Sequence, residues 1–192
     1  MLCRSQVDGL LIDAGVSLWQ LDSPERGFSF RFDAPLNMAF DRTQSRTGYD
    51  LVNTLTEREL ASLIREFSDE RWAERIAGSI VAARRRETIR TTTQLAAIIR
   101  AAIPARYRLR AQARADIDPA TRTFAALRQS TNDELGSLEA AIPNAATVLA
   151  PNAVMVVLTY SSNEDRIVKQ QDRKSTRLNS SHIQKSRMPS SA

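Results

Sequence analysis

The sequence is poor in cysteine, histidine and long apolar runs, and each shortage excludes a class of protein. Cys3 is the only cysteine, so an internal disulfide and a multi-cysteine metal site are both excluded. His182 is the only histidine, and its surroundings give an imidazole no packed scaffold. No apolar run approaches the roughly 18 residues of a membrane-spanning helix, and the first residues do not form a signal peptide. We therefore expect a cytoplasmic protein with no membrane partner and no metal.

Charge is unevenly distributed along the chain, so the overall basic character is weak evidence for nucleic-acid binding. The 192 residues carry a net charge of +5. Residues 172–192 hold five basic residues and one acidic residue, which accounts for +4 and leaves 22 basic against 21 acidic residues before them. The length is ordinary for one domain, or for one domain with an insertion.

Lysine is scarce until the carboxyl-terminal stretch, where the composition changes abruptly. Residues 1–171 contain 21 arginines and one lysine, whereas 172–192 contain two lysines and six serines. This stretch has no helical or strand periodicity and too few apolar groups to offset the entropy of ordering the chain. It also resembles a translated sequencing-adapter peptide found at the ends of unrelated proteins. We predict that 172–192 is disordered and non-native; the alternative is a natural basic tail that contacts RNA.

Two short apolar segments have the composition of buried strands. The first spans residues 7–12 and leads into Asp13 and Gly15, and the second spans residues 154–158. More than a hundred mostly helical residues separate them, which is far longer than a crossover helix and predicts a domain inserted within an α/β sheet. Asp13 then lies at the carboxyl end of a strand, where open α/β sheets bind ligands. Taken alone, it could equally be a loop or cap residue.

Helical periodicity and capping signals occupy most of the intervening chain. Thr54 and Thr56 each precede a glutamate by three residues, a capping-box spacing, and Ser68 or Asp69 can cap the next helix. The threonines at 91–93 introduce a third helix that stops before 104. A longer helix is predicted from 119 towards 143, and another opens near 164. Residues 24–50 are predicted to be an irregular packed loop.

Several separated motifs, found in a fixed order, resemble the bacterial small-subunit (16S) ribosomal RNA cytosine-N4 methyltransferase family. Colinear matches are far more specific than one short motif. They span about residues 5–171 and are Asp8-Gly9-Leu10-Leu11-Ile12-Asp13-Ala14-Gly15-Val16-Ser17, Gln20-Leu21-Asp22, Glu25-Arg26-Gly27-Phe28-Ser29-Phe30, Pro119-Ala120-Thr121-Arg122-Thr123-Phe124, Leu127-Arg128, Asn132, Glu134-Leu135, Val148-Leu149-Ala150-Pro151 and Glu164-Asp165-Arg166-Ile167-Val168-Lys169.

The resemblance implies an α/β fold, namely a partial Rossmann-like S-adenosylmethionine-dependent methyltransferase core interrupted by an inserted all-helical domain. The implied domains are 1–24 as the first part of the core, 25–128 as a helical substrate-recognition insert and 129–171 as the return to the core. The implied cofactor is S-adenosylmethionine. The implied partner is small-subunit ribosomal RNA within the 30S subunit, and the implied reaction is methylation of cytosine N4.

The resemblance also assigns roles to single residues. Asp13 and Gln20 are implied to contact the cofactor, whose polar and cationic groups a carboxylate and an amide can bind. Without the resemblance, Gln20 is better interpreted as a loop hydrogen bond. Asp13 is the one proton acceptor that we name for the reaction. Arg26, Arg122 and Arg128 match family positions and are candidate contacts to RNA phosphates, although a single arginine is more often a surface or ion-pair residue.

Additional basic residues within the helical segment are candidate RNA contacts, with a solvated charged face as the alternative. They are Arg84, Arg85, Arg86, Arg106, Arg108, Arg110 and Arg114.

The chain departs from the family pattern at several places, among them Ala34 and Asn37, which stand where the family has Gly and Asp. Asn152-Ala153 replaces a glycine pair, and Ala tolerates a left-handed backbone poorly. The run from Tyr160 to Asn163 replaces Phe-His-Ser-Leu, so the imidazole is missing. The family's glycine-rich cofactor loop precedes the segment that matches Asp8, so we expect that this chain alone does not catalyse. Two alternatives are a non-catalytic helical module that binds RNA or the ribosome, and a non-functional truncated reading frame.

Overall fold

The computed structural model describes residues 6–105, 107, 118–178 and 183–186, in two compact units. The first unit comprises Met1–Val16 together with Asp133–Ala192, and the second comprises Ser17–Asn132. The fold is mixed α/β with a small parallel sheet, as the sequence predicted. No helix in the described ranges is long and apolar enough to cross a membrane.

The described residues of the first unit contain a three-stranded parallel sheet. Its strands are β1 (Val7–Asp13), β2 (Leu149–Leu158) and β3 (Ile183–Ser186), in the order β1-β2-β3. The two apolar segments that the sequence predicts as strands therefore lie side by side in one sheet: Gly9 is opposite Val154 and Asp13 is opposite Leu158. The register shifts between Val7 and Gly9.

The altered Asn152-Ala153 pair falls beside this irregularity in the sheet. Asn152 has a φ of +67°, whereas Ala153 is not among the residues with positive φ. Asparagine tolerates the left-handed region better than most residues, because its short polar side chain can bond locally. The unusual backbone conformation thus falls on the one residue of the pair that accepts it.

Two helices pack against one face of the sheet. They are α7 (Glu134–Ala146) and α8 (Ser162–Leu178), and both contribute to a small apolar core. The buried members of that core are Leu138, Ile142, Met155, Val157 and Val168. Alternate residues of the strands point to the other face, where Leu11 is 64% exposed and Val154 is 41% exposed.

The prediction of a disordered 172–192 stretch is wrong for two of its parts. Helix α8 continues to Leu178, and residues Ile183–Ser186 pair with Met155–Leu158 of β2. The helix propagates because adding a residue to an existing helix costs little compared with nucleating one. The edge of β2 offers unpaired backbone groups that a further strand can satisfy. Residues 179–182 and 187–192 lie outside the described residues, and the non-native origin of the stretch stays a prediction.

The second unit is built from helices around its own apolar core. The helices with defined bounds in its described residues are α1 (Leu18–Asp22), α2 (Gly48–Thr54), α3 (Glu57–Ser68), α4 (Ala73–Arg84), α5 (Thr92–Ala102) and α6 (Ala120–Asn132), with a 3₁₀ turn at Pro24–Arg26. Its largest fully buried side chains include Leu36, Met38, Leu60, Ile64, Ile76, Ile80, Leu95, Ile99 and Leu127. Each such side chain stabilises the fold by about 1.5–3 kcal/mol relative to exposure.

Some predicted helix ends are confirmed and others are wrong. Thr56 caps α3 and Thr91 caps α5, each in a complete capping box. Neither Ser68 nor Asp69 caps α4; Asp69 instead ends α3 in a left-handed conformation with φ of +49°.

Two further helix predictions are wrong. The single helix predicted after residue 119 is two helices, because the intervening Asp133 has a φ of +47° that no α-helix accommodates. Pro143 does not end the second of them but lies inside it. The segment 24–50, predicted to be irregular, contains the 3₁₀ turn and the start of α2.

Candidate functional site

Asp13 and Tyr160 meet at the carboxyl ends of β1 and β2. Asp13 is the last residue of β1 and is opposite Leu158, the last residue of β2. The chain leaving β2 therefore passes directly beside Asp13, and the Tyr160 hydroxyl donates a hydrogen bond of 2.8 Å to Asp13 Oδ1. The Asp13 side chain is exposed, and Tyr160 is 61% exposed. This end of the sheet is where ligands bind in open α/β folds.

The backbone on both sides of this pair is fixed by hydrogen bonds. Ala14 N donates to Leu158 O at 3.1 Å, which extends the ladder one residue beyond Asp13. On the other strand, the buried carboxylate of Glu164 accepts from Tyr160 N at 2.8 Å and from Ser161 N at 3.0 Å. Glu164 thereby caps the start of α8. Asp13 and Tyr160 are exposed side chains on an ordered frame.

A glycine turn follows Asp13. Gly15 has a φ of +93°, a region that only glycine adopts readily. A methyl group added at Gly15 would lie 4.0 Å from Tyr160 Cδ2, so the tyrosine ring lies close to the turn without filling the space of the missing side chain. The turn thus leads the chain away from the exposed carboxylate.

The hydrogen bond to Asp13 raises the pKa of Tyr160 above its usual value of 10.0, helped by desolvation and by the negative charges of Asp13 and Glu164. The phenol therefore remains protonated at neutral pH and continues to donate to Asp13. Within the described residues, no hydrogen bond reaches the second carboxylate oxygen, Oδ2. The pair can offer that oxygen to an N–H or ammonium group.

Gln20 lies in the second unit, where its amide oxygen has a local role. Gln20 Oε1 accepts from Ser17 N at 3.0 Å and from Ser17 Oγ at 3.3 Å, completing the capping box of α1. This is the loop hydrogen bond that the sequence alone favoured. The Nε2 group makes no hydrogen bond within the described residues and is the part of Gln20 that a ligand could use. The two residues of α1 that precede Gln20, Leu18 and Trp19, are 77% and 70% exposed.

The three candidate RNA-binding arginines differ in how much of the guanidinium is available. Arg26 is half-buried, and its Nη2 donates to Ala39 O at 3.0 Å and Phe40 O at 2.8 Å. The Arg122 side chain is 58% exposed, 3.8 Å from a carboxylate oxygen of the buried Glu70. Arg128 is half-buried within α6. Arg122 is thus the best exposed of the three, whereas Arg26 stabilises the loop that it contacts.

The consecutive arginines at the end of α4 also divide by environment. Arg84 donates at 2.6 Å to both Val52 O and Leu55 O, so it caps the carboxyl end of α2. Arg85 and Arg86 are exposed. The candidate contacts Arg106, Arg108, Arg110 and Arg114 lie outside the described residues.

Tyr160 is the residue that sequence reasoning missed, since it was noted only as a departure from the family pattern. The signal that could have identified it is positional. Tyr160 follows the second apolar segment by two residues, and Asp13 follows the first directly. Parallel pairing of those segments brings the two side chains together.

Comparison with known proteins identifies the family. The model of the MraW methylase family matches residues 2–187. The chain belongs to this family. The match agrees with the motif resemblance and confirms it.

Curated relatives are similar over most of this chain. A ribosomal RNA small subunit methyltransferase H of Symbiobacterium thermophilum is 53% identical over 163 residues, covering 85% of this chain and 50% of the relative. The protein of the same name from Geobacter sulfurreducens is 52% identical, covering 85% of this chain and 51% of the relative. That from Thermobifida fusca is 50% identical, covering 85% and 48%. The chain spans about half the length of the curated relatives it matches.

Proposed function

We propose that this chain is part of an S-adenosylmethionine-dependent enzyme that methylates cytosine N4 in 16S ribosomal RNA. The observation that carries the proposal is the exposed Asp13 carboxylate at the carboxyl ends of two parallel strands, in a chain of the MraW methylase family. The names of the relatives, which are small-subunit ribosomal RNA methyltransferases, support the substrate class. We infer a cytoplasmic location and the 30S subunit as partner from that substrate.

Asp13 in the first unit and Gln20 in the second each carry a group that suits S-adenosylmethionine, which supplies the methyl group when bound. Asp13 is an exposed acceptor with an oxygen that no described group occupies, and it suits an ammonium or hydroxyl group. The Gln20 amide keeps an N–H donor after its oxygen has capped α1, and that donor suits a carboxylate.

Proton removal is the chemical task that we assign to Asp13. The exocyclic nitrogen of cytosine is a weak nucleophile because its lone pair is delocalised into the ring. It gains a bond to carbon and must lose one proton, so alignment and a nearby acceptor are both required. Asp13 Oδ2 is exposed and unoccupied among the described residues, as such an acceptor must be before the substrate arrives.

Substrate recognition falls, in this proposal, to the helical insert at 25–128, most of the second compact unit. That unit has an apolar core of its own, which permits it to act as a separate module. The exposed Arg122 and the pair Arg85 and Arg86 are the contacts to RNA phosphates that its surface favours. Arg26 and Arg128 also match family positions. Their side chains are half-buried, so we expect them to stabilise this surface and not to contact RNA directly.

The test is methyl transfer by a completed chain, which is a chimera in which this sequence replaces the matching half of the Symbiobacterium thermophilum relative. We expect labelled methyl from S-adenosylmethionine to enter small-subunit RNA and mass spectrometry of the nucleosides to find N4-methylcytidine. Asp13→Asn should lower kcat by about 10²–10⁴-fold, the usual contribution of a general base.

Asp8→Asn is the matched control, because Asp8 is an exposed aspartate at the other end of β1 and should leave kcat unchanged. Equal activity of the Asp13→Asn and wild-type completed chains would remove Asp13 from the site. RNA binding without any methyl transfer would favour the non-catalytic module instead.

A further inference from the structure

We propose that Tyr160 is a positioning residue for Asp13. In this arrangement the Tyr160 hydroxyl holds Oδ1 and thereby directs Oδ2 towards the open end of the strands, as the acceptor for an N–H group of a bound ligand. The inference rests on the proposed methyltransferase function, because it assigns how the acceptor of that reaction is oriented.

The first support is that the hydroxyl is delivered from a fixed backbone. Tyr160 N is bound by the Glu164 carboxylate at 2.8 Å, and Glu164 is only 4% exposed. The preceding Thr159 is also buried, at 8% exposure. The backbone of Tyr160 is therefore held in place between the end of β2 and the start of α8, although the aromatic ring is exposed. A side chain on such an anchor loses less entropy when it holds a partner in place.

The second support is that the carboxylate would otherwise be free to rotate. The Asp13 side chain is exposed, and within the described residues the Tyr160 hydroxyl makes the one hydrogen bond to its carboxylate. An aspartate without that bond can change its χ1 rotamer on the picosecond to nanosecond timescale. Catalytic groups must be held close to the productive geometry, and a supporting hydrogen bond is the usual means.

The third support is the distribution of charge around the hydroxyl. Two carboxylates face Tyr160. Asp13 accepts the hydrogen bond from its hydroxyl, and Glu164 caps the start of α8 directly after it in the chain. Both are negative and both favour the protonated phenol. The hydroxyl therefore stays a donor throughout the neutral range, and Oδ1 remains occupied while Oδ2 is available to a ligand.

The source of the N–H group is either the ammonium of the cofactor or the exocyclic amino group of the target base. Both present a nitrogen-bound proton to a carboxylate oxygen. Cytidine monophosphate and S-adenosylmethionine, added separately, are the two probes. The Asp13 carboxyl carbon should shift in its NMR spectrum with the probe that supplies the contact.

The first experiment uses the 192-residue chain and requires no ligand. The chain has three tyrosines, so the difference between the ultraviolet titrations of wild type and Tyr160→Phe isolates Tyr160. We expect Asp13→Asn to move the Tyr160 pKa down towards its usual value, and Asp8→Asn to leave it unchanged. Three-bond NMR couplings of Asp13 should report one χ1 rotamer in the wild type and rotamer averaging in Tyr160→Phe. An unchanged Tyr160 titration in Asp13→Asn, or an unchanged Asp13 rotamer in Tyr160→Phe, would overturn the proposal.

The second experiment uses the completed chain described above. Tyr160→Phe removes only the hydroxyl, and it should lower kcat about 3–10-fold while KM for the RNA stays within twofold. Wild-type kcat in this variant would overturn the positioning role. If the wild-type completed chain transfers no methyl group at all, the proposed function fails. The titration and the couplings then still decide whether Tyr160 positions Asp13.

Discussion

Asn132 should prove to be one of the most important polar side chains for the stability of the helical unit. It is the last residue of α6, and it binds a loop more than ninety residues away in the sequence. Its Oδ1 accepts from Phe40 N at 2.7 Å, and its Nδ2 donates to Met38 O at 2.7 Å and to Arg128 O at 2.9 Å. Met38 is fully buried with a φ of +59°, so the loop that Asn132 holds is a strained one.

The magnitude follows from the groups that Asn132→Ala would leave without partners. The Phe40 amide and the Met38 carbonyl both lose a hydrogen bond in a partly buried site, and a fully buried orphan group costs about 1–3 kcal/mol. Partial access of water reduces this, and the left-handed Met38 gains some freedom to relax. We expect a net loss of about 2–3 kcal/mol. For a chain of this length, that corresponds to a fall of roughly 4–12 °C in the unfolding midpoint.

Thermal unfolding followed by circular dichroism measures the total effect, and hydrogen exchange at the Phe40 amide measures the local one. Exchange at this amide should be at least tenfold faster in Asn132→Ala. Asn144→Ala is the matched control, because Asn144 is exposed on α7 and its side chain makes no hydrogen bond within the described residues. A midpoint within 1 °C of the wild type, or unaltered exchange at Phe40, would refute the reasoning.

Three further predictions concern stability and RNA binding. Arg84→Ala should lower the free energy of unfolding by about 1–3 kcal/mol, because the carbonyls of Val52 and Leu55 lose their donor. Arg85 is exposed, so Arg85→Ala should weaken RNA binding and leave stability unchanged. Equal unfolding midpoints of the two variants would contradict this. Truncation after Leu178 removes β3 and should lower the midpoint by a few degrees relative to the full chain, as measured by calorimetry; an unchanged midpoint would show that β3 adds no stability. Hydrogen bonds from Thr93 and Thr91 lower the pKa of Asp33 below its usual value of 3.8. The ionised Asp33 carboxylate therefore stabilises the folded chain above pH 3.8, and this contribution is lost as the pH falls through the lowered pKa. Asp33→Asn should therefore reduce the loss of stability below about pH 4 in acid titration, and an unchanged acid limb would contradict the assignment.

Local signals in the sequence were sufficient where the deciding interaction is itself local. Thr56 and Thr91 cap their helices as predicted, because a capping box depends on residues three positions apart. The end of β1 at Asp13 was predictable for a similar reason, since the apolar run stops there. The placement of the two strands in one sheet also followed, because both are short, apolar and joined by a long connection, and the structure shows that they pair in parallel.

Local sequence signals did not predict the structure where a contact between residues far apart in the chain determines it. The break between α6 and α7 at Asp133 has no glycine or proline to mark it, and it comes directly after the asparagine that binds the loop at 38–40. The strand at Ile183–Ser186 has little strand character of its own, and the edge of β2 is what provides its partner. Propensity is a weak prior in such segments, because tertiary contacts override it.

The residues shared with the family form two groups according to what their side chains bind. The sequence motifs do not distinguish these groups, because both kinds of residue occur in them. Glu164, Asn132 and Arg26 each bind backbone groups, so their places in the motifs are explained by folding. Asp13 differs, because its exposed carboxylate is bound, within the described residues, only by the side chain of Tyr160. An exposed polar contact of this kind contributes little to stability, since water competes for both partners. A ligand explains its place at the strand ends better than folding does. Replacing Asp13 should therefore spare stability and reduce methyl transfer, whereas replacing Asn132 should first reduce stability.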